Sequence, residues 1–270
     1  MRLSVLSIIL GIGLLLSPFI VQAQTWNLQV VDDAGDTGYD SQIVVTSDGT
    51  PYILYKNTSN YLLIAKWVPG GLDTGGWQYK QLDTGCPNGT PFEAIVDSQN
   101  HIHIAWGRTA SPYAKYGIYD PATETWFLGP ESITGGAYYC YIDLTLVTVG
   151  VDIIPCVTIN TSGSTVSVYK RNVGGGWTGG VIDATHTASR AASIAVDSTQ
   201  HMHVSFYEDT GQNLEYATKA WGDTIWQMST VDITGNVGDY SSIAVTPDDH
   251  VHIVYYDTTN GDLKYATLTP

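Results

Sequence analysis

The chain has 270 residues, and its 26 acidic and 11 basic residues give a formal net charge of -15. A strongly negative surface repels phosphate backbones and anionic lipid headgroups, so neither nucleic acid nor a membrane surface is an expected partner. The length allows one large domain with its own core and is short for two.

The N-terminal segment has the pattern of an export signal. Arg2 precedes an apolar stretch from Leu3 to Leu16, and a small-residue site ends at Ala23. This pattern predicts a signal peptide over residues 1–23 that is cleaved near Ala23. The apolar stretch is shorter than the ~20 residues that span a bilayer, so we do not expect membrane insertion. The sequence therefore predicts a single secreted or periplasmic domain over residues 24–270.

A tryptophan recurs about every 50 residues after Ala23 and divides this part of the chain into five similar units. In each unit the Trp opens a short segment that ends at an acidic residue. The tryptophans are Trp26, Trp77, Trp126, Trp177 and Trp226, and the acids are Asp32, Asp83, Glu131, Asp183 and Asp232. A period of this length indicates a repeat architecture with one supersecondary element per unit.

Each unit is predicted to contain four short strands, with no helical periodicity. In the last unit, Ser242–Val245, His252–Tyr256 and Leu263–Thr267 are apolar segments separated by polar turns. The region after Ala23 begins with a fourth-strand segment, Trp26–Asp32, and ends with a third-strand segment. We therefore predict an all-β fold: a five-bladed β-propeller with four-stranded antiparallel blades, whose last blade is closed by the N-terminal strand.

The fourth and fifth units share the most regular pattern. Ser193-Ile194-Ala195-Val196 with His201-Met202-His203, and the matching residues of the fifth unit, resemble propeller repeats of exported bacterial proteins. The chain thus resembles lectin-like or sialidase-like propellers at the level of the fold. Its count of five units is similar to that of tachylectin-type lectins and five-bladed glycosidases. The resemblance covers the whole predicted domain and implies a fold and an extracellular setting, but no single activity.

Three cysteines allow at most one disulfide bridge. Cys86 and Cys140 lie in equivalent connections of neighbouring units, so they are the better pair if a bridge forms. Cys156 lies in an apolar strand and is expected to be a buried small hydrophobe.

Six of the seven histidines form His-x-His pairs at the start of predicted second strands. The pairs are His101/His103, His201/His203 and His250/His252. Residues two apart on a strand share a face, so each pair could offer two imidazoles to a metal. The pairs recur at one repeat position without a consistent third ligand, so we expect a structural role and no cofactor. His186 lies outside the pairs in an entry loop and is a further candidate for a site.

Ligands usually bind a propeller at the face formed by the loops that enter the first strand and those that join the second to the third. Aromatic, acidic and arginine side chains in these loops suit a sugar, which offers apolar faces for stacking and hydroxyls for hydrogen bonds. The candidate ligand-binding residues are Tyr39, Arg108, Glu208, Asp239, Tyr240 and Asp257.

A catalytic alternative depends on carboxylates near the starts of the innermost strands. Glu93 and Asp143, with Asp40 as a third carboxylate, could act as acid and base on a glycosidic bond. Tyr139 and Arg190 could instead serve a lyase, in which the arginine neutralises a uronate and the tyrosine transfers the proton. Each of these residues occurs in only some of the five units. A single asymmetric active site would show this distribution, and so would sequence drift between the repeats.

The sequence favours a non-catalytic, lectin-like or adhesive module that binds carbohydrate or another polar extracellular ligand through repeated clefts. A glycoside hydrolase or polysaccharide lyase acting at the central funnel is the first alternative. A protein-interaction scaffold is the second.

Overall fold

The computed structural model describes residues 27–69, 76–111, 113–134, 140–161, 165–183 and 192–269. The chain divides into an N-terminal unit of residues 1–30 and a second unit of residues 31–270, and all the described strands belong to the second. The described residues form strands and turns only, and none of them builds a helix able to cross a membrane.

The second unit contains five antiparallel sheets in chain order, and within each sheet every strand pairs with the next. Sheet 1 contains β1 (Thr37–Val45), β2 (Pro51–Asn57), β3 (Tyr61–Val68) and β4 (Gly76–Thr84). Sheet 2 contains β5 (Phe92–Val96), β6 (Ile102–Gly107), β7 (Ala114–Asp120) and β8 (Thr125–Thr134). Sheet 3 contains β9 (Cys140–Val149), β10 (Asp152–Thr161), β11 (Ser167–Arg171) and β12 (Trp177–Val181). Sheet 4 contains β13 (Ser193–Val196), β14 (Met202–Glu208), β15 (Asn213–Lys219) and β16 (Gln227–Asp232), and sheet 5 contains β17 (Val237–Val245), β18 (Val251–Asp257) and β19 (Asp262–Leu268).

Neighbouring sheets pack face to face, because the strands carry apolar side chains on both faces and each face must be buried away from water. One buried cluster lies between each successive pair of sheets, from the pair 1 and 2 to the pair 4 and 5. The first strands of neighbouring sheets also contact each other in chain order. These first strands therefore line the inner side of the array, where a ligand would meet several sheets at once.

The repeated acids link the end of a fourth strand to the following sheet. The Asp83 carboxylate accepts a hydrogen bond of 2.9 Å from the indole nitrogen of Trp106, and Asp232 accepts one of 2.9 Å from the hydroxyl of Tyr255. Both pairs are 23 residues apart in sequence. The acid that recurs in the sequence is therefore a connection between sheets.

Sheet 5 differs from the prediction, because it has three strands and not four. Asn27 to Asp36 contains no strand, and Trp26 lies outside the described residues. Leu28 and Val30 are 87% and 74% exposed, whereas Val31 packs against the buried cluster of Tyr55, Leu63 and Ala65 in sheet 1.

The suggested bridge between Cys86 and Cys140 is wrong, because Cys86 is a free thiol. It is fully buried in the cluster between sheets 1 and 2, and its sulfur lies 3.6 Å from the carbonyl oxygen of Thr84. Burial raises the pKa of this thiol to about 12, which keeps it protonated. The prediction for Cys156 is confirmed, since it is buried between sheets 3 and 4.

Candidate functional site

The first strand of every sheet has a polar residue that pairs with the second strand, at the same register in sheets 1, 2, 4 and 5 and with a longer hairpin in sheet 3. The residues are Gln42, Glu93, Asp143, Ser193 and Ser242. Because neighbouring first strands are in contact, these side chains reach the next sheet. The Asp143 carboxylate, for example, accepts hydrogen bonds of 2.8 Å from the Ser193 hydroxyl and the Ile194 amide.

A cavity of about 400 Å³ opens at the inner side of sheets 1, 2 and 3. β1 contributes Asp40, Ser41 and Gln42, and β9 contributes Tyr141. The remaining walls are formed by Gly89, Thr90, Pro91, Phe92 and Glu93, which lead into and begin β5. A cavity of this size with a few polar groups is typical of a small-ligand site.

Asp40 is held at the cavity by an unusual backbone conformation. Its φ of 48° lies in the left-handed region, within an irregular stretch of the β1–β2 pairing. Tyr240 has a φ of 52° at the corresponding irregularity of β17. Left-handed non-glycine residues and bulges are uncommon and often lie beside functional sites.

A fully buried lysine lies beneath Asp40. The Lys56 ammonium has no exposed surface, and it lies 3.2 Å from the Asp40 carboxylate and 2.9 Å from the Thr90 hydroxyl. It also donates to the Thr90 carbonyl and lies 5.3 Å from the centre of the Phe92 ring. Burial lowers the pKa of Lys56, an effect that the charge of Asp40 opposes. The only ammonium beneath the described cavity wall is thus already partnered by protein groups.

Glu93 is a carboxyl group of the cavity with a pKa near neutrality. Burial, followed by the nearby charge of Asp143, raises its pKa to about 7. The side-chain amide of Gln42 donates to the Glu93 carboxylate and, at 3.4 Å, approaches the Ala94 carbonyl. The amide oxygen of Gln42 is buried and has no partner among the described residues. Beside the cavity there is therefore a buried hydrogen-bond acceptor for which the described residues provide no donor.

Four of the sequence-predicted binding residues lie outside this cavity and are engaged in local structure. The hydroxyl of Tyr39 donates to Asp36 at 2.7 Å, and Arg108 lies 3.3 Å from Asp83. Glu208 accepts two backbone N–H groups of the β14–β15 turn, at 2.5 and 2.6 Å, and Asp257 accepts the backbone amide of Asn260 at 3.1 Å. The last two carboxylates are buried turn caps.

The two remaining predicted binding residues and the predicted catalytic residues lie in different parts of the fold. Asp239 is buried at the start of β17, whereas Tyr240 is 64% exposed and occupies the place that Asp40 has in β1. Of the catalytic candidates, Asp40 and Glu93 line the cavity, and Asp143 lies behind it in the hydrogen bonds to sheet 4. Tyr139, Arg190 and His186 lie outside the described residues.

The histidine pairs form links within and between strands. One ring nitrogen of His103 bonds the Tyr116 hydroxyl, and the other lies 3.0 Å from Asp97. His203 repeats this arrangement with Tyr216 and Asp197. In His252 one nitrogen bonds Tyr265, whereas the other is buried without a partner in the described chain. Across the described residues, no three His, Cys, Asp or Glu side chains are grouped as metal ligands would be.

Sequence reasoning missed Gln42, Lys56, Thr90 and Tyr141. Alignment of the five units position by position places Gln42 with Glu93 and Asp143, so this signal was available. The role of Lys56 depends on burial between two sheets, which no local pattern reveals.

Comparison with known proteins shows the fold. The Aleuria aurantia lectin, a fungal lectin with a six-bladed β-propeller fold and a fucose recognition mode, is 12% identical with a TM-score of 0.55, over 86% of this chain and 74% of the lectin. The SapL1 lectin, solved with α-methyl fucoside, is 17% identical with a TM-score of 0.52, over 87% of this chain and 83% of the lectin. The NanB sialidase from Streptococcus pneumoniae is 14% identical with a TM-score of 0.58, over 87% of this chain and 56% of its own. No protein-family model and no curated protein sequence matches the chain. At these identities the likeness establishes the β-propeller fold alone.

Proposed function

We propose that the protein is a non-catalytic carbohydrate-binding module and that the cavity of Asp40, Gln42, Glu93 and Tyr141 is its binding site. The observation that carries this proposal is a cavity lined by two carboxyl groups, an aromatic ring and Gln42, whose buried amide oxygen has no donor among the described residues. Sugar hydroxyls are donors that would satisfy such acceptors, and a tyrosine ring can pack against the apolar face of a pyranose. Lectins among the structural neighbours support this reading.

The charges of the cavity favour a neutral or amino sugar. Asp40 and Glu93 are acidic, and Lys56 already contacts Asp40 and Thr90. Recognition of a carboxylate requires a cation that is free to pair with it, as arginine does most effectively. We therefore expect this cavity to discriminate against sialate and uronate.

A glycan array with the chain from residue 24 onward, followed by calorimetry on the hits, tests the proposal. Gln42→Ala and Tyr141→Ala should each weaken binding of a neutral or amino sugar about tenfold, because each removes one ligand contact. Ser242→Ala is the matched control, since Ser242 holds the position of Gln42 in sheet 5 outside the cavity. Sugar binding that is unchanged in both cavity variants would contradict the proposal.

A glycoside hydrolase is the second candidate, favoured by the pKa of Glu93. A carboxyl group with a pKa of about 7 suits a general acid near neutral pH. Asp143 is less suited as its partner, because Ser193, Ile194 and Leu144 already donate to its carboxylate. Turnover of a bound glycan that is abolished in Glu93→Gln would favour the enzyme over the lectin.

We further propose that the segment before Asp32 completes sheet 5, so that the chain forms five four-stranded blades, and that the protein is exported after cleavage near Ala23. Asp32 accepts a hydrogen bond of 2.8 Å from the Tyr55 hydroxyl, 23 residues away. Asp83 and Asp232, which end fourth strands, use the same spacing toward the following sheet. This equivalence supports a fourth-strand role for the residues that precede Asp32.

A further inference from the structure

Two cavities on the outer strands occupy the same position in the repeat but differ in how their lysines are paired. The first lies between sheets 1 and 2 and includes Lys66, Lys80 and Glu124. The second lies between sheets 3 and 4 and includes Lys170 and Lys219. In each, the third-strand lysine, Lys66 or Lys170, pairs with the residue that follows a repeat tryptophan.

The first cavity contains its own carboxylate. Glu124 lies 2.7 Å from the Lys66 ammonium, and the backbone oxygen of Glu124 accepts a hydrogen bond of 2.6 Å from Lys80. Tyr119 forms part of the opposite wall. The Lys66 ammonium is thus paired with a carboxylate of the chain itself, and the volume of this cavity is about 180 Å³.

The second cavity lacks that carboxylate. Thr224 precedes Trp226 by two residues, as Glu124 precedes Trp126, so threonine replaces glutamate at this position. Lys219 replaces Tyr119, because each pairs with the middle residue of a His-x-His motif. Gly180 replaces Lys80, and a Cβ added at Gly180 would meet nothing within 4 Å. The cavity volume is correspondingly larger, at about 330 Å³.

The two ammonium groups are positioned by indole rings and not by a carboxylate in contact with them. Lys170 lies 4.5 Å from the ring centre of Trp221, and Lys219 lies 4.8 Å from that of Trp226. An indole face attracts a cation but carries no net charge, so both lysines keep their full charge and their N–H donors. Within the described chain neither ammonium has a hydrogen bond or salt bridge, and the carboxylate at the rim is the exposed Asp223. Burial, followed by the charge of Lys170, lowers the pKa of Lys219.

We propose that the cavity between sheets 3 and 4 binds a pyranose that bears an oxyanion, with a uronate carboxylate in the place that Glu124 fills between sheets 1 and 2. Lys170 and Lys219 bind the oxyanion. Thr178 and Thr224 provide hydroxyls for the sugar, and Trp226 provides an apolar wall. Two lysines that line one cavity and form no ion pair within the described chain suit an anionic ligand.

Calorimetric titration with methyl galacturonide, methyl galactoside, galactose 6-sulfate and acetate tests this site. Methyl galacturonide should bind at least about tenfold more tightly than methyl galactoside and acetate, because of these three it alone combines an oxyanion with the ring. Tighter binding of the 6-sulfate than of the galactoside would also support the site and would identify sulfate as an accepted oxyanion. Equal binding of galacturonide and galactoside, or of galacturonide and acetate, would overturn the proposal.

Three variants locate the binding. Thr224→Glu introduces a carboxylate beside the two lysines, and Lys219→Tyr restores the residue of sheet 2; each should weaken galacturonide binding about tenfold or more. Glu124→Gln, in the equivalent cavity, is the control and should leave it unchanged. Thermal melting of all three verifies that they fold. Galacturonide binding that survives both changes in folded protein would overturn the proposal, whatever the outcome at the Gln42 cavity.

Discussion

Replacement of Glu93 by Gln should change the pH dependence of stability in a defined direction. Glu93 has a pKa of about 7 in the folded protein, against an ordinary value of 4.5. Because the folded state holds this proton more tightly than the unfolded state, the contribution of Glu93 to stability is present at low pH and is lost as the pH rises from about 4.5 to about 7. Glutamine cannot ionise, so the variant should lack this loss.

The magnitude follows from the difference between the two pKa values. At 1.36 kcal/mol per pKa unit the upper bound is about 3 kcal/mol. The Glu93 carboxylate lines an open cavity and is partly screened by solvent, so we expect about 1–2 kcal/mol. Between pH 4 and pH 8, the free energy of unfolding of the native chain should therefore fall by about 1–2 kcal/mol more than that of Glu93→Gln.

Urea unfolding at several pH values, monitored by tryptophan fluorescence, measures this difference. Asp143→Asn is an informative comparison, because Asp143 accepts hydrogen bonds from Ser193 and Ile194 that an amide oxygen replaces only in part. That variant should be destabilised at every pH by about 1–3 kcal/mol. Parallel pH profiles for the native chain and Glu93→Gln would refute the reasoning about Glu93.

Three further perturbations test the links between strands and sheets. Thr246→Asp should raise the free energy of unfolding by about 1 kcal/mol in urea melts. The new carboxylate would bind the His252 nitrogen that has no described partner, as Asp97 binds His103 and Asp197 binds His203. An unchanged free energy of unfolding would contradict the equivalence of these three histidines. Asp83→Asn should lower the free energy of unfolding by about 1–3 kcal/mol, since the Asp83 carboxylate accepts from Trp106, and an unchanged melt would contradict the inter-sheet role. A chain that begins at Asp32 should show faster amide exchange in β19 than one that begins at residue 24, whereas equal exchange would argue against a fourth strand for sheet 5.

The strands were predictable because the repeat imposes the same alternation and turns on every unit. Four sheets have the predicted four strands. Of the acids that follow the repeat tryptophans, Asp83 and Asp232 accept hydrogen bonds from the next sheet. Strand closure was not predictable to the same degree. The phase of the repeat predicts that the N-terminal segment supplies the fourth strand of sheet 5, but this pairing would join distant parts of the sequence, so no local alternation or turn specifies it.

The candidate site was predicted only in part. Asp40 and Glu93 were identified from their place near the inner strands, and both line the cavity. Glu208 and Asp257 have the composition of ligand-binding residues, yet the backbone amides of their own turns occupy their carboxylates. Composition alone cannot distinguish a turn cap from a ligand contact, because both need an oxygen acceptor in a loop.

The central claim, that a sugar binds in the cavity of Gln42 and Glu93, is tested most directly by nuclear magnetic resonance of the Gln42 side-chain amide. The amide oxygen of Gln42 is the buried acceptor for which the described protein provides no donor. During titration with a neutral or amino sugar that binds, the account predicts a saturable shift of the Gln42 side-chain amide resonances with the same dissociation constant as calorimetry. A sugar that binds without shifting these resonances would contradict the account.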